Sequence, residues 1–430
     1  MPAASTPATH LPFRAAPVAG SLLGSEILRI AGEIRARVAA GDRICNLTVG
    51  DFDPRQFRVP RTLEEGTIEA LRHGETNYPP SPGLPSLREA VRDYYARELG
   101  LRYDVENVLI TSGSRPGVYG TYYTVVGEGD RVVYGVPSWN NNYYTHMVSG
   151  VDVPVLCGRE VSFLPSAASL QDAVRGARLL ALNSPLNPCG TAFTAEALGE
   201  ICDLVLEENA RRSADEGPLY VLYDQVYWQL TFGETVHVNP VSLRPEMAPY
   251  TFLVDGISKA FAATGMRVGW VLAPREAIRV MNNILQHIGT WAPRAEQVAT
   301  TKLLGRPDEI RAYRQEIVRG VQARLQRLYD GIRALRTAGH PVNAIEPMGA
   351  IYLSAQFDLV GRTARDGTRI ATRDDARRWL LSEAGMAVVP FNAFGSEASD
   401  GWCRLSVGAV SVEDIDEALA RLRAGLETLR

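Results

Sequence analysis

The sequence predicts an α/β fold, a mainly parallel sheet sandwiched by helices, joined to a smaller α+β domain. Three observations predict it. Between Thr62 and about Leu304, short apolar runs alternate with helical patterns, the order expected of βα layers. Several of those runs are apolar almost throughout, as strands buried on both faces must be. A charged helical pattern from about Asp308 to Leu335 is long enough to link two lobes, and mixed strand and helix signals follow it. At 430 residues the chain also exceeds what one hydrophobic core usually supports.

Met1 to Ala16 is rich in Pro, Ala and Thr and lacks the basic start and apolar stretch of a secretory signal, so 1–20 is expected to be a flexible tail. Leu22 to Ala39 reads as a helix, and the segment 21–60 is placed with the smaller domain. The large domain is expected over 61–305, with strands at Asn107 to Thr111, Arg131 to Val136, Val153 to Leu156, Arg178 to Leu182, Leu219 to Tyr223, Phe252 to Val254 and Gly269 to Leu272. The small domain is expected over 306–430. After its long first helix come strands at Ala350 to Gln356, Met386 to Val389 and Cys403 to Val407, a helix near Asp374 to Glu383, and a last helix from Val412.

Composition excludes several classes of function. Charge is dispersed and sums to −4, which gives no basic surface for nucleic acid. No apolar run approaches the roughly 18 to 20 residues a membrane span needs. The five cysteines, Cys45, Cys157, Cys189, Cys202 and Cys403, have neither CxxC nor Cys/His ligand spacing. They point to the reducing cytoplasm and to no metal site.

Of 45 basic residues only two, Lys259 and Lys302, are lysine. Arginine evidently supplies the surface charge, yet it cannot replace lysine where a neutral amine must attack a carbonyl. Lys302 lies in an amphipathic stretch and reads as a solvated side chain. Lys259 sits in Ser258-Lys259-Ala-Phe-Ala-Ala-Thr-Gly-Met-Arg267-Val-Gly-Trp270, directly after an apolar run. Ser258 and Arg267 can clamp a phosphate beside that amine, and the end of a strand is where open α/β sheets bind ligands.

Three further stretches carry chemistry. Tyr220-Val-Leu-Tyr-Asp224-Gln-Val-Tyr227 places an aspartate just past a strand, where it can face a protonated ring nitrogen or cap a helix. Asn183-Ser-Pro-Leu-Asn187-Pro-Cys-Gly190 fixes a turn that can present the Asn187 amide, or simply lead to a helix start at Thr194. Thr111-Ser-Gly113-Ser114-Arg115 runs from a strand through small residues into a helix, whose first N–H groups form a phosphate seat.

In this order the stretches resemble the fold type I pyridoxal-phosphate enzymes, specifically the class I/II aminotransferases of the aspartate aminotransferase kind, from about Leu22 to the C-terminus. The resemblance implies pyridoxal 5'-phosphate held as a Schiff base on Lys259, which also shuttles the proton. It implies Asp224 on the ring nitrogen, Tyr227 and Asn187 on the phenolic oxygen, and Gly113, Ser114, Ser258 and Arg267 on the phosphate. Trp139, in Val136-Pro-Ser-Trp139, matches the aromatic that stacks on the ring; a core tryptophan is the other reading. Arg404 resembles the arginine that forks the substrate α-carboxylate, and Gly50 the loop that closes over substrate. Tyr78 resembles the tyrosine that reaches the phosphate of a neighbouring subunit, implying a homodimer.

Two positions depart from the family pattern. Cys189 replaces the threonine of NPTG. Arg115 stands where bacterial aspartate aminotransferases carry a lysine that meets the substrate's distal carboxylate, which favours aspartate or a similar donor with 2-oxoglutarate as acceptor. Decarboxylation, elimination or oxidation of the amino acid on the same apparatus is the rival outcome.

Overall fold

In the computed structural model, residues 13–430 are described except 23, 25, 398 and 399; residues 1–12 of the expected tail lie outside the described residues. Seven strands form the main sheet: β1 (Val108–Thr111), β2 (Arg131–Val136), β3 (Val151–Leu156), β4 (Ala177–Asn183), β5 (Tyr220–Asp224), β6 (Thr251–Gly256) and β7 (Gly269–Leu272). Their order is β3-β2-β4-β5-β6-β7-β1, parallel except for β7, which runs against both neighbours. Every residue of β1, β6 and β7 is buried, whereas β3, at the edge, exposes alternate residues. All seven runs read from the sequence are strands here, because an apolar run covered by helices on both faces leaves its backbone few partners but a neighbouring strand.

Parallel strands start at one edge of the sheet and end at the other, so their following loops converge. Register makes this concrete: Asn183 lies beside Asp224, Asp224 beside Val254, Gly256 beside Gly269, and Gly269 beside Thr111. Two of these neighbours must be glycine. A Cβ on Gly269 would stand 2.4 Å from the carbonyl carbon of Gly113 and 2.6 Å from the amide nitrogen of Ser114. One on Gly256 would stand 2.7 Å from Gly269 Cα.

The helix Pro307–Thr337 turns Ile317, Val321, Leu325, Leu328 and Ile332 onto a second, antiparallel sheet. That sheet contains β8 (Val342–Ala344), β9 (Tyr352–Phe357), β10 (Val389–Pro390) and β11 (Trp402–Ser406), ordered β10-β11-β9-β8. The final helix, Val412–Leu426, closes the same core with Ile415, Ala418 and Leu422.

Several element ends shift by one or two residues from the sequence reading, and three of the differences have a structural cause. Strand β9 begins at Tyr352 rather than Ala350, because Ala350 has φ of 61°, a left-handed turn no strand accommodates. The run Met386 to Val389 is two strands: Met386–Ala387 pairs in parallel with Cys45–Asn46, and Val389–Pro390 pairs with β11. Uniform burial hid that change of partner, and Pro390, without an N–H, ends the second piece. The N-terminal helix is Glu26–Ala39, past Gly24, and is tied to the Arg373–Glu383 helix by an ion pair of Glu33 with Arg377 at 3.0 Å. Pro17–Gly20 forms one helical turn. Among the described residues no helix is long and apolar enough to cross a membrane.

Gly269→Ala is expected to cost about 1 to 3 kcal/mol, because the added methyl meets backbone that cannot yield. Gly265→Ala, with open space around its Cβ, is expected to stay within about 0.5 kcal/mol of the parent. Urea unfolding midpoints of the two variants check this.

Candidate active site

The converging loops enclose a cavity of about 530 Å³, roofed by Gly50 and by Tyr352 and Arg404 from the second sheet. One wall is the turn after β1. Gly113 has φ of 81°, its carbonyl accepts from Thr111 Oγ1 at 2.7 Å, and the 12-residue helix Ser114–Val125 starts at once without a side-chain cap. Its first N–H groups are therefore free for an anion. Gly113 does not line the cavity; it makes room for the Arg267 guanidinium, which a Cβ there would meet at 2.3 Å. Arg267 donates to the carbonyls of Thr264 (2.7 Å) and Ser112 (3.1 Å), and Ser258, also lining the cavity, is buried.

The floor is built from strand ends. The carboxylate of Asp224, last in β5, accepts one hydrogen bond among the described residues, from the Val226 N–H at 3.1 Å. Burial pushes its carboxyl up to about 6, partly opposed by that bond. Asn183 Oδ1 accepts from the Asn187 N–H at 2.7 Å and holds the turn in place. Lys259, on the helical turn Ile257–Ala260, points its ammonium at the Gly50 carbonyl, 2.6 Å away. Burial lowers its pKa to about 8; nearby Asp51 opposes this, while Arg404, Arg115 and Arg267 add to it.

Arg404, in the middle of β11, is 2% exposed and donates to Asn187 Oδ1 at 3.1 Å and to the Thr48 carbonyl at 2.6 Å. Its Nε has no hydrogen-bond partner among the described residues. Arg115 is exposed at the mouth, with its guanidinium 4.2 Å from the centre of the Trp139 ring. Lys259, Arg115, Arg267 and Arg404 thus line one cavity, and among the described residues none of the four is paired with a carboxylate. Cations so placed are stable only with anions between them.

Trp139, Asn187 and Tyr227 also line this cavity, as the sequence reading expects. Tyr78 does not. It is 80% exposed and lies edge-on to Trp291, with 5.1 Å between ring centres. Cys189 is buried and outside the cavity lining, and its carbonyl accepts from Ser354 Oγ at 2.8 Å. Lys302 is held by Glu69 at the surface. Among the lining residues that the sequence reading did not single out, two polar ones stand beside the groups above. Asp51, which accepts from Thr264 Oγ1 at 2.5 Å, follows Gly50 directly and could have been suspected. Tyr352, which opens β9 next to the apolar residues Ala350, Ile351 and Leu353, gave no signal that set it apart from core.

The sequence model of the family described as aminotransferase class I and II matches residues 42–422. The chain belongs to that family. An aspartate aminotransferase of Rhizobium meliloti is 29% identical over 421 residues, covering 97% of both chains. An aspartate/prephenate aminotransferase of Thermus thermophilus is 31% identical over 379 residues, 87% of this chain and 89% of its own. The crystal structure of the Rhizobium meliloti aspartate aminotransferase superimposes with a TM-score of 0.88 at 27% identity, covering 97% of this chain and all of that one. That of the Thermus thermophilus enzyme with maleate gives 0.85, at 27% identity over 96% of this chain and all of that one.

This aminotransferase is therefore a pyridoxal-phosphate enzyme, and its residues fit that group. The uncapped helix start and Arg267 suit a phosphate, and the lone carboxyl of Asp224 suits a protonated ring nitrogen. In the cofactor-free protein the buried Asp224 carboxyl is a strain that grows with pH. A folded pKa near 6 against an ordinary value near 3.9 means its stability is intact below about pH 4 and falls as pH rises through 6. Asp224→Asn removes this dependence. The stability of the cofactor-free variant relative to cofactor-free wild type should rise between pH 4.5 and 7, by up to about 2 to 3 kcal/mol. Urea unfolding at the two pH values measures it.

Proposed function

We propose that the enzyme moves an amino group from an L-amino acid, with aspartate or a similar dicarboxylate preferred, to a 2-oxo acid such as 2-oxoglutarate, and that Lys259 is the amine that bonds the cofactor aldehyde. The observation that carries this reading is the set of four cations around one cavity, none of them in an ion pair with a carboxylate among the described residues. Arg267 answers to the phosphate, Arg404 to the α-carboxylate, and Lys259 to the aldehyde, which leaves Arg115 for a second substrate carboxylate. The similarity to an aspartate aminotransferase of Rhizobium meliloti and an aspartate/prephenate aminotransferase of Thermus thermophilus, and the maleate in the Thermus structure, support a dicarboxylate.

The bound cofactor supplies an electron sink for the charge left when the substrate Cα loses its proton. The protein supplies the rest. Lys259 Nζ, its basicity lowered by burial among arginines, takes the Cα proton and returns it on the other side of the transfer. Asp224 keeps the ring nitrogen protonated. Tyr227 donates to the phenolic oxygen, and Asn187, whose Oδ1 is taken by Arg404, has its amide nitrogen left to donate there as well. Arg404 offers a planar fork to the α-carboxylate, a bidentate task lysine performs poorly.

The cavity draws on both sheets, which supports 61–305 as a cofactor-binding domain and 306–430 as a small domain joined by the segment 21–60. Tyr78, exposed beside Trp291, is free to serve the site of a second subunit in a homodimer. All five cysteines are free and buried, which supports a cytoplasmic setting.

Amino-donor screens with 2-oxoglutarate and oxaloacetate test the reading. Aspartate should be consumed only when an oxo acid is present; consumption without one would point to decarboxylation, elimination or oxidation. Arg115→Ala should lower kcat/KM for aspartate by about 10- to 100-fold, the worth of one charge-assisted hydrogen-bonded contact, and spare an aromatic donor. Equal losses for both donors would remove Arg115 from substrate selection.

A further inference from the structure

One buried contact in the cavity has no part in the assignments above. Tyr352, first residue of β9, is 1% exposed, and its hydroxyl lies 2.6 Å from that of Tyr227. The two rings meet edge to face, their centres 5.5 Å apart at 72°. The Arg404 guanidinium lies over the Tyr352 ring, 4.8 Å from its centre. A methyl group on Gly50 would come within 3.0 Å of the Tyr352 hydroxyl, so the loop that accepts from Lys259 also closes on this phenol. A single side chain thereby touches the arginine, the tyrosine and the loop.

Two hydroxyls this close share one hydrogen bond, and its direction matters. If Tyr227 is to give its proton to a ligand, its oxygen must accept from Tyr352. The surroundings favour that polarity. A cation over the Tyr352 ring makes its phenol the better donor, and Arg404 acts against the rise that burial imposes on it. Burial, the largest influence on Tyr227, raises that phenol well above its ordinary value. The charged groups facing the pair are Arg404, Asp51 and Asp224, with Lys259 across the Gly50 carbonyl. Hydrogen bonds in a chain polarise one another, on the order of 10 to 30% per bond.

We propose that Tyr352 is a positioning residue for transamination: it donates to Tyr227, and so fixes and strengthens the hydrogen bond that Tyr227 gives to the cofactor's phenolic oxygen. This rests on the assignment of Tyr227 to that oxygen. Tyr352 touches neither cofactor nor substrate in this account; it acts through Tyr227, from beneath the arginine reserved for the α-carboxylate.

The test is the pH midpoint of the visible absorbance of the holoenzyme. A bond donated to the phenolic oxygen favours loss of the chromophore's proton, so weakening the donor raises the midpoint. Tyr227→Phe should raise it, and Tyr352→Phe should raise it by a smaller amount, about 0.3 to 1 pH unit for one hydrogen bond of ordinary net strength. In the Tyr227→Phe background, Tyr352→Phe should add nothing. Because the ring stays under Arg404, kcat should fall while KM for the amino donor holds. If Tyr352→Phe yields too little folded protein, 3-fluorotyrosine at 352, a more acidic phenol of nearly equal size, should lower the midpoint. A Tyr352→Phe midpoint equal to wild type, or a shift that persists undiminished without the Tyr227 hydroxyl, overturns the relay. A Tyr227→Phe midpoint equal to wild type overturns the assignment of Tyr227 itself, and the relay with it.

Discussion

The structure turns on positive charge that the protein's own carboxylates offset only in part. Lys259, Arg115, Arg267 and Arg404 face one partly buried space; the hydrogen bonds of Lys259, Arg267 and Arg404 go to carbonyls and an amide, and Arg115 lies over an aromatic face. Concentrating like charge away from water is costly unless anions occupy the gaps. A phosphate and substrate carboxylates are such anions, so the same repulsion that burdens the cofactor-free protein favours the loaded one. It also sets the chemistry. Burial, reinforced by those arginines and opposed by Asp51, holds Lys259 near 8, which suits the proposed role of a base near neutral pH.

Holding these groups together is the task of the topology. Parallel strands deliver Asn183, Asp224 and Gly256 to one edge, and the reversed strand β7 brings Arg267 to the same edge from the other direction. The glycines at 256 and 269 let three backbones approach closely there. The second sheet contributes Arg404 and Tyr352 from adjacent strands, joined to the first by the Asn187 amide and the Tyr227 hydroxyl. On the proposed assignments, substrate and cofactor contacts are mechanically connected, since Arg404 and Asn187 share a hydrogen bond.

Much of this was legible in the sequence because its signals are local. A strand buried on both faces is an unbroken apolar run, and the residue that ends it is polar, which places Asp224 and the Asn183 turn directly. The near absence of lysine made Lys259 conspicuous. Non-local pairing was not legible. Met386 to Val389 is buried throughout, so nothing in its composition marks the change of partner at Val388. Tyr352 reads as a core aromatic, and its contact with Tyr227 spans 125 positions of chain. The exposure of Tyr78, against Trp291, likewise depends on a helix–loop junction far along the chain.

The central claim is that one amine, Lys259 Nζ, bonds the cofactor in this charged cavity. Borohydride reduction of the folded holoenzyme followed by peptide mapping tests it directly. The account predicts a pyridoxyl adduct on the peptide containing Lys259 and none on that containing Lys302, with the Lys259→Ala variant left unlabelled. Labelling at Lys302, or an unmodified Lys259 peptide in fully folded, cofactor-loaded enzyme, would contradict it.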